Sequence, residues 1–330
     1  MARIMYREAI RQAMIEEMRK DNNLFLIGYD VGRYGGEFQL SQGMYDMFGE
    51  ERVRDAPISE QGIIGCAVGA ALTGCRAIAD IPFSDFMAMC MDQVVQQAAK
   101  FYYMFAGQAN VPIVIMTGLG AFIQGGPQHS QSVEVWFTNT PGLKTVVPST
   151  PRDAKGLMKT AIQDPNPVIF LGHKALYALK DEVPEEDYSI PFGKADVKHP
   201  GNDVTVITYS LMVHKALSVA AELEKEGVSV EVLDLRSLVP LDKQSIIQSV
   251  EKTGRAVIVH EAPTNGGFGG EIAAVIADEA FKALKAPIKR VGAKWAPIPF
   301  PSALENELLP SEADIEAAIR SLVSSGATVD

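Results

Sequence analysis

The sequence predicts an α/β protein of two domains, each a mainly parallel sheet flanked by helices, on three observations. Short apolar runs alternate with helix-period segments along the chain, as βα units require. The alternation breaks once, at KDEVPEEDYSIPFGKADVKHPGND, a stretch rich in charge, proline and glycine and poor in periodicity. The 330 residues are long for one core and comfortable for two. The expected organisation is a first domain over 1–182, a linker over 183–203 and a second domain over 204–330.

The opening segment, MARIMYREAIRQAMIEEMRKDN, mixes acids and bases and reads as an amphipathic helix rather than a signal or transit peptide. NLFLIGYDVG is a short buried strand running into a loop, and the chain to about residue 52 is polar and glycine-containing. DAPISEQGIIGCAVGAALTG reads as loop into helix, with Ser59 as N-cap. CRAIADIPF is the next strand. From Asp85 to Phe105 the pattern is helical, with Met89, Val94, Ala98 and Tyr102 tracing one face. VPIVIMTG is a continuous apolar run suited to a strand buried on both faces of a parallel sheet, and the loop GLGAFIQGGPQHSQS follows it. LKTVVPS, a helix through DAKGLMKTAI, and PVIFLG complete the first series. In the second series VTVITYS is a strand and MVHKALSVAAELEKEG a helix closed by Gly227. VSVEVLDLRS is a strand, KQSIIQSVEKTG a helix closed by Gly254, AVIVHEA a strand and EIAAVIADEAFKAL a helix.

Composition narrows the function. A 47% hydrophobic, 22% charged chain is globular, and a formal charge of -11 argues against general affinity for nucleic acid or anionic membrane. The apolar run from Ile63 to Cys75 is about 13 residues, short of the roughly 20 that span a bilayer. Cys66, Cys75 and Cys90 form neither a paired disulfide framework nor a CxxC motif, so a reducing cytoplasm is the expected location.

Ligands of open α/β sheets bind beyond the carboxyl ends of strands. Two glycine-rich loops lie there, GLGAFIQGG and TNGGFGGE, but neither completes a dinucleotide fingerprint or a P-loop, and tight turns explain them as well. None of the five histidines forms a helical HxxxH pair, which leaves no zinc site. His199 and His214 read as structural or solvated. His129, in PQHSQ after a buried strand, could reach a ligand, and His260, in HEAP, could do so by the same logic. Glu60 has two readings: a first-turn acid favoured by the helix dipole, worth roughly 0.3–1 kcal/mol, or a carboxyl in an apolar site that exchanges a proton with a ligand.

Taken in order, RVRDAPISEQGIIGCAVGAAL, DFMAMCMDQVVQQAAK, PQHSQSVEVWF, PGLKTVVPSTPRDAKGL, AIQDPNPV and HEAPTNGGFGGEIA resemble the beta subunit of the thiamine-diphosphate-dependent dehydrogenases. These are the decarboxylating components of 2-oxo acid dehydrogenase complexes and their acetoin dehydrogenase relatives. The similarity runs from about residue 3 to residue 315. It implies a transketolase-like fold, with a pyrimidine-binding domain followed by a smaller transketolase C-terminal-type domain.

The resemblance also implies roles. Glu60 falls on the family's thiamine-activating glutamate, which shares a proton with N1' of the aminopyrimidine so that the 4'-nitrogen can deprotonate thiazolium C2. Phe86 matches an aromatic that packs against that ring, and Ile58 lies in the same ring-contacting loop. His129 matches the histidine thought to assist acyl transfer to the lipoyl group. Ile113, Ala161, Ile162, Asp164 and Asn166 correspond to a structural potassium site of some members. The GDG…NN pattern that holds diphosphate and magnesium is not found in this sequence. In the family it lies on an alpha subunit, which implies an α2β2 heterotetramer docked on a lipoyl-bearing acyltransferase core and acting on a 2-oxo acid or acetoin. FxDFMxxxMDQ, MVHKAL and VKHPGNDVTVITY look closer to the acetoin branch. Two positions depart from the pattern. Tyr29 replaces an acid of a proton-passing tunnel to which Asp92 also corresponds, and Ala56 replaces a threonine. Another transketolase-superfamily subunit, or a nucleotide-binding or scaffold subunit, are the alternatives.

Overall fold

The computed structural model describes residues 1–323. The chain enters through β1 (Ala2–Met5), α1 (Tyr6–Lys20), β2 (Leu24–Gly28), the short α2 (Met44–Phe48), β3 (Val53–Asp55), α3 (Glu60–Leu72) and β4 (Arg76–Phe83). A 3-10 segment (Ser84–Cys90), a π-helical segment (Asp92–Ala98) and α4 (Phe101–Met104) lead to β5 (Ile113–Leu119). Then come α5 (Val135–Thr138), β6 (Lys144–Val146), α6 (Pro151–Gln163), β7 (Val168–His173), β8 (Lys180–Val183) and β9 (Asp196–His199). The later part comprises β10 (Val204–Thr208), α7 (Leu211–Glu224), β11 (Val230–Asp234), β12 (Ser237–Val239), α8 (Lys243–Thr253) and β13 (Ala256–Pro263). It closes with α9 (Gly269–Glu279), β14 (Lys289–Ala293), α10 (Ser302–Leu308) and α11 (Glu312–Val323).

The first sheet has the order β12-β6-β7-β5-β4-β2-β3 and is parallel except for its β12 edge. Strand alternation sends neighbouring residues to opposite faces. Ile78, Val114, Met116 and Phe170 pack with Tyr6, Ile10 and Met14 of α1 and Leu157 of α6. Ala79, Ile115 and Ile169 pack with Ile63, Ile64 and Ala67 of α3. The second sheet, β14-β13-β10-β11-β9, is parallel except for β9. Its α3-side partners Ile207, Leu233 and Ile258 join the same cluster as Ala79 and Ile115, so one apolar core runs through both sheets.

Several elements differ from the local reading, and long-range pairing explains most of them. Residues 2–5 are a strand because they pair antiparallel with β8, so the first helix starts at Tyr6. Asp196–His199, inside the stretch read as aperiodic linker, adds to β11, and Ser237–Val239 crosses to the first sheet's edge against β6. The segment 85–105 is not one helix. Its 3-10 and π turns change the residues per turn and break the predicted stripe: Val94 and Ala98 are buried while Met89 is 67% and Tyr102 50% exposed. The helix read as closed by Gly227 ends at Glu224, with Lys225 at the cap position and Gly227 left-handed two residues beyond. Gly254 closes α8 in the left-handed conformation, as expected.

Candidate active site

The carboxyl ends of the parallel strands present β3 and its loop to α3, β4 to the 3-10 segment, and β5 to the loop 120–133. Ser59 caps α3, its hydroxyl accepting from Gly62 N at 3.3 Å, and so fixes where Glu60 enters the helix. Glu60 is 9% exposed, and within the described residues no hydrogen bond or ion pair engages its carboxylate. Its nearest titratable neighbours show in their own shifts. Burial, then the Glu60 charge, pushes the Cys90 thiol up to about 12. Burial followed by Glu60 and Asp80 raises the Tyr29 phenol well above its usual range. Burial also raises Asp80 to about 7.

The 3-10 segment that packs against α3 carries part of an aromatic group. Phe86 meets Phe83 edge-on at 5.5 Å between centroids, and His129 stands edge-on to both, at 4.7 Å from Phe83 and 5.2 Å from Phe86. Lys174 lies beneath Phe83, 5.8 Å from its ring, and donates to the Gly118 carbonyl at 3.0 Å. Burial lowers its ammonium to about 8 against the pull of Asp85 and Glu261. Ile58 is 77% exposed in the loop before Glu60. Phe86 and His129 are thus in contact, Glu60 lies near Cys90 of the same 3-10 segment, and Ile58 is exposed in the preceding loop.

The five residues of the expected potassium site lie at the opposite end of the strands, where β5 begins and α6 runs out. Arg76 donates to the carbonyls of Ile162 at 2.9 Å and Asp164 at 3.1 Å. The Asp164 carboxylate pairs with Lys144 and accepts from Asn166 N at 2.9 Å. Cationic side chains of the chain itself therefore already engage the oxygens of Ile162 and Asp164.

His260 is fully buried, and burial lowers its imidazole to about 4, so it is neutral at neutral pH. A Cβ at Gly267, Gly269 or Gly292 would come within 2.5 to 3.1 Å of its ring, which accounts for two of the glycines of TNGGFGGE, Gly267 and Gly269, as packing around a histidine. The next residue, Glu261, points to the other face of β13 and was missed by motif reading. Its carboxylate takes His173 Nε2 at 2.7 Å, Ala121 N at 2.7 Å and Ser132 Oγ at 3.0 Å. Burial would raise it, but His173 and these donors outweigh burial and hold it below the usual range. Asp85 likewise holds Gln131 through its amide N, at 3.2 Å, and its side chain, at 2.9 Å. The only available signal was position: an acid at a strand end and another two residues past one. Between the end of the His129 loop and the ends of β13 and β14 lies a cleft of about 610 Å³ lined by Ser132, Trp136, Glu261, Asn265, Trp295 and Ile298 among others. Glu60, Phe86 and His129 do not line it.

The domains define a class. Residues 2–180 match the pyrimidine-binding domain of transketolase and residues 193–315 its C-terminal domain. A solved split gene transketolase, described as an inactive beta4 tetramer, superposes with a TM-score of 0.80 at 23% identity, covering 98% of this chain and 99% of that one. Closer relatives narrow it. The 2-oxoisovalerate dehydrogenase subunit beta of Bacillus subtilis (strain 168) is 46% identical over 96% of this chain and 98% of its own. The acetoin:2,6-dichlorophenolindophenol oxidoreductase subunit beta of the same organism is 48% identical over 92% of each. The pyruvate dehydrogenase E1 component subunit beta of Rickettsia felis (strain ATCC VR-1525 / URRWXCal2) is 44% identical over 96% and 97%. The chain belongs to this family of E1 beta subunits of the 2-oxo acid and acetoin dehydrogenases.

Proposed function

We propose that this chain is the beta subunit of a thiamine-diphosphate-dependent dehydrogenase that cleaves a 2-oxo acid or acetoin and passes the acyl group to lipoamide. The observation that carries the reading is Glu60, a nearly buried carboxylate without an internal partner among the described residues, at the head of the helix that packs against the 3-10 segment carrying Phe86, whose ring meets those of Phe83 and His129. Such a group fits an aminopyrimidine: a polar ring nitrogen for the carboxyl and aromatic faces for the ring. When bound, thiamine diphosphate supplies a thiazolium that accepts the electron pair of the breaking carbon–carbon bond.

The chain's part is proton handling and placement. Glu60 holds and exchanges a proton with the aminopyrimidine nitrogen, and its apolar surround strengthens that hydrogen bond. Phe86 and Ile58 supply apolar contacts to the ring. His129, held edge-on by Phe83 and Phe86, serves the transfer step. For a 2-oxo acid the balance is loss of carbon dioxide, attachment of the acyl group to one sulfur of the lipoyl disulfide and a hydrogen on the other. Acetoin gives acetaldehyde in place of carbon dioxide.

The exposed Ile58 and the separation of Glu60 from the chain's own cleft support a site completed by an alpha subunit, which would hold the diphosphate and magnesium. An α2β2 heterotetramer on a lipoyl-bearing core follows from the same reading. Potassium at Ile113, Ala161, Ile162, Asp164 and Asn166 fits less well, because Arg76 and Lys144 already engage oxygens of Ile162 and Asp164. Potassium there is at most structural, and no step runs through it. A cytoplasmic location is proposed on the three unpaired cysteines. The test is dye-coupled turnover of pyruvate, branched 2-oxo acids and acetoin by the assembled alpha and beta chains, with the beta chain alone as control.

A further inference from the structure

We infer that Glu261 and Glu305 of the second domain are positioning residues that set the loop carrying His129. The loop 120–133 leaves β5 and returns before α5, and its base is closed by Gly120 N donating to Gln131 O at 3.1 Å. Two glutamates from the other domain take consecutive amides at its start. Ala121 N donates to Glu261 at 2.7 Å and Phe122 N to Glu305 at 3.0 Å. Both carboxylates are buried, at 7% and 2% exposure. Glu261 also accepts from Ser132 at the loop's far end, so one carboxylate ties both limbs.

The rest of the contact is built to match. Ala175 N donates to His173 Nδ1 at 3.2 Å, so Nε2 carries the hydrogen that His173 gives to Glu261. Gly120 is left-handed, and a Cβ there would lie 2.1 Å from His173 Nε2 and 2.7 Å from Glu261. Phe122 and Gln124 hold positive φ of 63° and 56°, conformations that persist only where surroundings impose them. Lys215 of α7 sits 3.9 Å over the Phe122 ring, and Phe300 fills the space in front of Gly126. Four side chains of the second domain therefore shape the loop on either side of His129, while Asp85 anchors Gln131 from the first.

The inference rests on the proposed role of His129 in transfer to the lipoyl group. Two acceptors separate that step from the earlier chemistry. Lipoamide takes the acyl group and two electrons, whereas 2,6-dichlorophenolindophenol takes only the two electrons and the acyl group leaves with water as the carboxylic acid. Glu261→Gln, Glu305→Gln and the exposed control Glu307→Gln are assembled with the alpha chain, thiamine diphosphate and magnesium. The ratio of lipoamide-linked to dye-coupled rate should fall roughly ten- to hundredfold in the first two variants and hold in the control. Hydrogen exchange of the full chain should speed up over residues 120–133 in the same two variants. An unchanged ratio, with or without faster exchange, overturns the inference. If Glu261→Gln does not assemble, Glu305→Gln carries the test, since its side chain makes a single hydrogen bond among the described residues. Absence of dye-coupled turnover in the unsubstituted assembly defeats the functional reading instead, and the exchange data still judge whether the glutamates hold the loop.

Discussion

At the residue scale the account turns on one carboxyl group. Glu60→Gln keeps the shape of the side chain and loses at most the roughly 0.3–1 kcal/mol of helix-dipole interaction. Its effect on turnover should be far larger, about 10²–10⁴-fold, with assembly intact, as measured by dye-coupled rates and sedimentation. Normal turnover would reduce Glu60 to a first-turn acid. Asp80 gives a second residue-scale prediction. Its carboxyl moves from an ordinary 3.8 to about 7 on burial, so the folded chain holds an extra proton between those values and stability falls as pH rises through that window. Asp80→Asn cannot titrate, so its melting temperature relative to the unsubstituted chain should climb from about pH 4 to about pH 7 and then level off. A difference independent of pH would show that Asp80 is ionised in the fold. Glu60 was legible because a lone acid heads an apolar helix. Glu261 was not, since its role comes from Ala121, Ser132 and His173, which are 140, 129 and 88 residues away.

At the element scale, the cap and the turn are testable apart from chemistry. Ser59→Ala removes the hydroxyl that accepts from Gly62 N and should cost about 1 kcal/mol in urea denaturation. Gly120→Ala should cost more than the roughly 1 kcal/mol of a left-handed non-glycine residue, because its methyl meets His173 and Glu261 as well. A neutral alanine there would show that the loop base adapts freely. Elements with a clear local signal were readable: β5 as an apolar run, α6 as a helix, α8 with its glycine cap. Those defined by a distant partner were not. Ala2–Met5 is a strand only because Lys180–Val183 lies beside it, and Ser237–Val239 only because β6 is an open edge. The 85–105 segment misled for another reason, since 3-10 and π turns leave no single period to detect.

At the scale of the whole molecule, two mainly parallel sheets share one apolar core, and the second domain reaches into the first at both ends of the His129 loop. The two-sheet plan was visible in the βα alternation, but the grip of one domain on the other was not, because no motif encodes a contact between Glu305 and Phe122. On the proposed reading an alpha subunit completes the site at Glu60, so activity should belong to the assembly rather than to this chain. The most direct measurement is oxidation of pyruvate, branched 2-oxo acids and acetoin, coupled to 2,6-dichlorophenolindophenol. This chain is assayed with and without its alpha partner, in the presence of thiamine diphosphate and magnesium. The account predicts turnover of one of these donors only when both chains are present, and its near loss in Glu60→Gln. A stable, cofactor-binding complex that turns over none of them, or a Glu60→Gln assembly as active as the unsubstituted one, would contradict it.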